Sequence, residues 1–125
     1  MTEFIKPAKF GMATIFVNGK QMVSWIHHHD LCKMMIHGIE TASIKGVYNA
    51  VSPDPISNKD LIIAIAKKLR SFYLPIPVPA FVLKIMLGEM SIEILKSAKV
   101  SSKKIQGAGF NFDYPTLHSA LNDLL

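Results

Sequence analysis

The residues of this chain best equipped for chemistry stand together at His27-His28-His29-Asp30, just after Ser24. On an extended segment His27 and His29 face the same side and could share a metal ion. Two imidazoles fall short of the three or four protein ligands that stable zinc coordination needs, and no other His or Cys cluster lies within motif distance. Asp30 is expected to cap the helix that follows, its carboxylate accepting from the free amides of the first turn. Ser24, His27 and Asp30 also supply the residue types of a hydrolase triad. In a strand of period two, however, positions 24 and 27 point to opposite faces, and no nucleophile elbow accompanies them. Glu89, after the Gly88 break, is a lone carboxylate at a helix start and reads as a dipole partner. The reading assigns no catalytic residue and no metal ligand.

Redox chemistry with a dinucleotide needs a Gly-x-Gly-x-x-Gly turn between a strand and a helix to hold the pyrophosphate, and that turn is missing. The closest spacing, Gly107-Ala108-Gly109, has Phe112 at the third position and no strand before it. A Tyr-x-x-x-Lys pair is also missing: Tyr48, Tyr73 and Tyr114 are followed four positions later by Ser52, Pro77 and His118. No cofactor-binding residue is assigned, and the chain alone is expected to bind no cofactor.

A chain of 125 residues fits one folding unit that buries roughly two thirds of its unfolded surface. Half the residues are hydrophobic and 18% are charged, which argues against disorder and leaves apolar surface for a partner. The single Cys32 cannot form an internal disulfide and no apolar leader opens the chain, so a reducing, cytoplasmic setting is expected. The longest apolar stretch, Leu74 to Leu87, is interrupted by Pro75, Pro77, Pro79 and Lys84 and is too short for a bilayer, so no membrane partner is expected. The net charge of +5 comes from scattered lysines and one arginine, Arg70. The densest group, Lys96, Lys99, Lys103 and Lys104, has no interleaved aromatics to stack bases, so no nucleic acid is expected.

Positioning elements follow from local pattern. Thr14 to Val17 and Lys20 to Ile26 flank Asn18-Gly19, a pair suited to a type I′ turn, which predicts a β-hairpin. Leu31, Met34, Met35 and Ile39 predict a helix from about 31 to 40. Gly46 to Val51 predicts a buried core strand, ended by the loop Ser52-Pro53-Asp54-Pro55. Ser57 and Asp60 have capping-box spacing before the stripe Leu61, Ile62, Ile65, Ala66 and Leu69, with Lys67, Lys68 and Arg70 closing the helix. Phe81 to Leu87 is apolar nearly all round, so it must be enclosed by this chain or by another. A helical segment over Glu89 to Ala98 and a Thr116-capped helix carrying Leu117, Ala120, Leu121 and Leu124 complete an α/β unit, α+β in isolation.

The run Gly19-Lys20-Gln21-Met22-Val23-Ser24-Trp25-Ile26-His27 with Asp30-Leu31 resembles the atypical short-chain dehydrogenase/reductase family of NAD-dependent sugar-nucleotide epimerase-like proteins. Tyr48-Asn49-Ala50 with Pro53-Asp54-Pro55 and Asn58 is similar to that family's last core strand and following loop. Pro77-Val78-Pro79-Ala80-Phe81, Leu87-Gly88-Glu89-Met90 and Gly109-Phe110-Asn111-Phe112-Asp113-Tyr114-Pro115 resemble its C-terminal DUF1731-like domain. The family commonly has a Gly-x-Gly turn where this chain has Val17-Asn18-Gly19, and Asn18 is expected to take the positive φ.

The resemblance implies the C-terminal part of an extended Rossmann-type fold: hairpin, helix and last core strand over residues 1–56, and a mostly helical, substrate-side segment over 57–125. The N-terminal dinucleotide-binding half lies outside it. It further implies an NAD(P)-dependent enzyme acting on a small molecule in full-length relatives, and a fragment inactive alone. In the resembled enzymes the hairpin approaches the substrate cleft, so Gln21, Ser24 and Trp25 are substrate-contact candidates, with Asn49 at the strand end. The expected partner is a Rossmann half in trans or a second copy. A non-enzymatic module docking through its apolar helical surface is the alternative.

Overall fold

The computed structural model describes residue 5, residues 8–69 and residues 72–125. Arg70, expected to help close a helix, lies outside the described residues. The elements run β1 (Met12–Phe16), β2 (Met22–Val23), α1 (His28–Glu40), β3 (Ile56–Ser57), α2 (Asn58–Leu69), β4 (Leu74–Val78), α3 (Ala80–Leu87), α4 (Met90–Leu95), α5 (Lys103–Gly107) and α6 (Leu117–Leu124). Among the described residues no helix is long and apolar enough to cross a membrane.

α2 is the centre of packing. Its start is set locally: the Asp60 amide donates to Ser57 Oγ at 3.1 Å, and that hydroxyl donates to Asp60 Oδ2 at 2.6 Å. The expected stripe then divides between two clusters. Leu61 and Ile65 pack with Ala8, Leu117 and Leu121, tying α2 to α6, while Ile62 and Ala66 pack under Ala13 and Ile15 of β1. A third cluster, Met34, Ile105 and Phe110, joins α1 to α5. Each fully buried aliphatic side chain of this kind contributes about 1.5–3 kcal/mol of transfer free energy.

The expected hairpin does not form. β1 pairs in parallel with β4, Met12 opposite Leu74 through Phe16 opposite Val78, and β2 pairs antiparallel with β3, Met22 opposite Ser57. A type I′ turn needs positive φ at both central residues, Asn18 and Gly19. Here the positive values fall on Val17 (55°) and Gly19 (68°), and the turn closes with the Gly19 amide donating to Phe16 O at 2.9 Å. The turn docks on the start of α2 instead of folding β1 onto β2. Gly19 O accepts from the Lys59 amide at 3.0 Å, and Asn58 Oδ1 accepts from the Phe16 amide at 3.3 Å. A Cβ at Gly19 would lie 2.6 Å from Lys59 Cβ and 2.7 Å from Ile15 Cγ2, so only glycine fits.

β4 carries Pro75 and Pro77 along its free edge. Successive residues of a strand present their amides and carbonyls to opposite edges. The Leu74 amide donates to Gly11 O and Val78 O accepts from the Val17 amide, so the even positions face β1 and the prolines face outward. An outward proline lacks the amide that another strand would need.

Two further expectations are corrected and a third is narrowed. Residues 46–51 form no strand, because they meet no ladder partner among the described residues. The segment expected as a helix to Ala98 ends at Leu95, and the Ala98 amide donates to Met22 O instead. Of the two enclosures open to α3, this chain supplies little: Leu83 is buried, whereas Phe81 is 65% and Ile85 80% exposed.

A β-branched residue held at positive φ costs about 1–2 kcal/mol, and glycine returns about 0.5–1 kcal/mol of that as chain entropy. Val17→Gly is therefore expected to stabilise the fold by about 0.5–1 kcal/mol, read as a higher denaturant midpoint with an unchanged slope. Gly19→Ala should lose on the order of 2 kcal/mol. A Val17→Gly variant less stable than the parent would contradict the strain at this turn.

Candidate functional site

Between the loops 53–55 and 99–106 lies a cleft of about 410 Å³, lined by Pro53, Pro55, Lys99, Val100, Ser101, Ser102, Lys103 and Gln106. Its far wall is strapped to β2. The Met22 amide donates to Ser97 Oγ at 2.9 Å, Ser24 Oγ donates to Ala98 O at 2.7 Å, and the Val100 amide donates to Ser24 Oγ at 3.1 Å. Ser24 thus uses both its donor and an acceptor position on one strap. Asn49 Nδ2 donates to Ser101 O at 3.3 Å on the same wall. The near wall is held by Trp25, whose indole donates to Asp54 O at 2.6 Å.

The four residues singled out in the sequence are therefore partly brought together. Ser24 and Asn49 fix one wall and Trp25 the other, each through a loop carbonyl, and none of the three is among the lining residues. Gln21 is bound into β2–β3 by its carbonyl, which accepts from the Asn58 amide at 2.8 Å. Its side-chain Oε1 is buried with no hydrogen-bond partner among the described residues. A buried acceptor in that state costs about 1–3 kcal/mol, and Gln21 is not among the residues that line the cleft. Two lysines and two serine residues give the cleft a cationic, hydrogen-bonding character suited to a small polar or anionic molecule.

The histidine run has a different role from the one its spacing suggested. α1 begins at His28, and its cap is His27, not Asp30: His27 Nδ1 accepts from the His29 amide at 3.3 Å. A neutral ring accepting at Nδ1 carries its hydrogen on Nε2. That nitrogen lies 3.3 Å from Asp123 Oδ2, but poorly aligned, so no hydrogen bond forms. Asp30, fully buried, turns its carboxylate to the loop ahead of α6, accepting from the Asp113 amide at 2.8 Å and the Tyr114 amide at 2.9 Å. Tyr114 stacks on His27 at 4.1 Å and donates to Asp123 Oδ1 at 3.0 Å. Asp113 receives Lys33 Nζ at 2.6 Å, with His29 Nε2 3.1 Å from its other oxygen.

Sequence reasoning missed Lys33, Asp113, Tyr114 and Asp123, because no local spacing links residues some 80 positions apart. The Lys33 hydrogen bond and charge, with His29, hold the Asp113 carboxyl below its ordinary 3.8. The hydrogen bond to Asp123 raises the Tyr114 phenol above its ordinary value.

The turn at Gly107-Ala108-Gly109 does not have the form of a dinucleotide phosphate turn. Gly107 ends α5 instead of opening a helix, and the amides around it are spent: Ala108 N donates to Lys104 O and Ile105 O, Gly109 N to Gln106 O, and Phe110 N to Ile105 O.

Asp30→Ala removes a carboxylate from two backbone amides, each charge-assisted bond worth about 1.5–3 kcal/mol, so a loss of about 3 kcal/mol is expected in equilibrium unfolding. Asp30→Asn, keeping one acceptor, should lose less. Because the folded Asp113 pKa is depressed, its contribution is present above the ordinary value and lost as pH falls through the folded one. Lys33→Met should move the Asp113 carboxyl titration, followed by NMR, back up toward 3.8. An unmoved titration would contradict the ion pair.

The domain of unknown function DUF1731 matches residues 78–124. The epimerase family protein YfhF of Bacillus subtilis is 38% identical over 122 residues, which is 97% of this chain and 40% of YfhF. Mouse epimerase family protein SDR39U1 is 28% identical over 127 residues, 100% of this chain and 43% of that protein. The crystal structure of human SDR39U1 (isoform 2) with NADPH superposes with a TM-score of 0.90 at 27% identity, covering 98% of this chain and 42% of that one. The chain thus spans about 40% of the length of the relatives it matches. By sequence, domain and Rossmann-type fold together, the chain corresponds to a C-terminal, DUF1731-bearing portion of the epimerase family proteins.

Proposed function

We propose that this chain is the substrate-side portion of an NAD(P)-dependent, epimerase-like short-chain dehydrogenase/reductase and is inactive alone. One observation carries the reading. Almost the whole chain superposes on 42% of a relative crystallised with NADPH, yet it has neither a glycine-rich phosphate turn nor a Tyr-x-x-x-Lys pair. Without them the nicotinamide cannot be held against a substrate, and the cofactor carries the hydride chemistry. The cleft between loops 53–55 and 99–106 shapes the substrate side in the cytoplasm, with Ser24, Trp25 and Asn49 fixing its walls. The substrate is a small polar molecule, and a cationic wall at Lys99 and Lys103 favours an anionic one. NADPH fluorescence titration tests the reading: the chain alone should give no saturable signal, and a chimera in which it replaces the matching part of YfhF should bind. Saturable NADPH binding with turnover by the chain alone would overturn it.

The exposure of Phe81 and Ile85 on α3 supports a second reading, a non-enzymatic module that docks through this helix. Under it, Phe81→Glu with Ile85→Glu abolishes association with the partner and leaves NADPH titrations of the chimera unchanged. Unimpaired association in that variant would sink it.

A further inference from the structure

The geometry points to Ser24 as a positioning residue for Lys99, and to Lys99 as the side chain that selects an anionic ligand in the cleft between loops 53–55 and 99–106. This rests on the proposed function and deepens it by naming the group that reads the ligand's charge and the group that holds it in place.

Ser24 grips the chain on both sides of Lys99. Its Oγ donates to Ala98 O at 2.7 Å and accepts from the Val100 amide at 3.1 Å. Those are the carbonyl and the amide that a residue facing Lys99 in a parallel ladder would bind with its own main chain. The neighbouring bonds keep the same register. Two residues before Ser24, Met22 O accepts from the Ala98 amide at 3.0 Å, and the Met22 amide donates to Ser97 Oγ at 2.9 Å. The strap thus lies along β2 as a strand would, with Met22 against Ser97 and Ser24 against Lys99, and one hydroxyl stands in for two main-chain groups. With the peptide units before and after it pinned, Lys99 keeps little backbone freedom, and the direction of its side chain follows from Ser24.

Three lysines fall within residues 99–104, and they are not equivalent. Lys104 is committed, its ammonium donating to Val47 O at 2.6 Å and lying 4.4 Å from the centre of the Tyr48 ring. Lys99 and Lys103 line the cleft, and neither ammonium has a hydrogen bond or ion pair among the described residues. Gln106 adds a donor, because its carbonyl oxygen takes the buried Ser102 hydroxyl at 3.1 Å and its amide group is left uncommitted. No acidic side chain is among the lining residues. Cations and a donor with no carboxylate opposite suit an anion. The two free lysines are held differently. Lys103 begins α5, whose own turn fixes it, whereas Lys99 lies outside any helix or strand and depends on the Ser24 hydroxyl. Loss of that hydroxyl therefore acts on a bound anion through Lys99 and not through Lys103.

Titration of the chain with inorganic phosphate, followed by NMR at the amides of residues 99–103, tests the proposal through double-mutant cycles. The shifts should saturate. Lys99→Met should weaken binding about fivefold, and Ser24→Ala about threefold in the parent chain but less than about 1.5-fold in the Lys99→Met background. Combined with Lys103→Met, Ser24→Ala should keep its effect of about threefold. Ser24→Thr retains the hydroxyl and should bind phosphate within about twofold of the parent. Where Ser24→Ala fails to fold, Ser24→Cys, whose thiol is a weak donor and acceptor, takes its place in both cycles. Shifts that grow linearly with phosphate, an unchanged affinity on Lys99→Met, or a Ser24 effect of the same size with and without Lys99 would each overturn the assignment. The titration contains no nucleotide, so such a failure leaves the NADPH test of the proposed function untouched. Conversely, NADPH turnover by the chain alone would overturn the proposed function and leave the coupling of Ser24 to Lys99 in place.

Discussion

Asp30 is the point on which the fold is closed. Its fully buried carboxylate accepts two backbone amides from residues 113 and 114, more than eighty positions away, and so ties the first turn of α1 to the approach of α6. A buried carboxylate is tolerated only when its lone pairs are satisfied, and two amides held at the right spacing do that without a counter-charge. Once this tie exists, Tyr114 lies against His27, α6 packs on α2, and the third cluster is enclosed between α1 and α5. Removing it would leave α1 held to the rest of the chain chiefly by Met34 against Ile105 and Phe110 and by Lys33 on Asp113.

The cleft inherits its shape from the same frame. β2 has only two residues in its ladder, so its position depends on side chains that act as backbone substitutes: Ser97 and Ser24 carry bonds to the 97–100 strap that an ordinary strand would make from its main chain. Trp25, one residue beyond Ser24, reaches the opposite loop. Walls held by side-chain hydrogen bonds suit a binding site for a small polar molecule, because little ordering is left to be done on association.

What was legible in the sequence was local. The Ser57–Asp60 pair, the α2 stripe and the Thr116 cap each depend on residues within one or two helical turns, and all three are present. The hairpin was not legible, since the partner of β1 is β4, some sixty residues on, and since the turn needed α2 beneath it. The cap of α1 was misplaced for a chemical reason: His27 Nδ1 accepts an amide as well as a carboxylate does, and this released Asp30 for a distant bond. Ser24, Trp25 and Asn49 could be singled out by resemblance, but their partners are loop carbonyls that no pattern of residue types specifies. The strand expected at 46–51 is instructive in the opposite sense, because its residues favour a strand yet meet no ladder partner among the described residues.

Under the proposed function this chain is a well-built body that carries no nucleotide site of its own. The dependence of Tm on NADPH concentration tests it most directly. A ligand that binds only the folded state stabilises by about 2.7 kcal/mol at a hundredfold excess over Kd, a rise of several degrees for a small domain. The account predicts a flat Tm for the chain alone and a rising one for the chimera with YfhF. A Tm of the isolated chain that climbs with NADPH would contradict it.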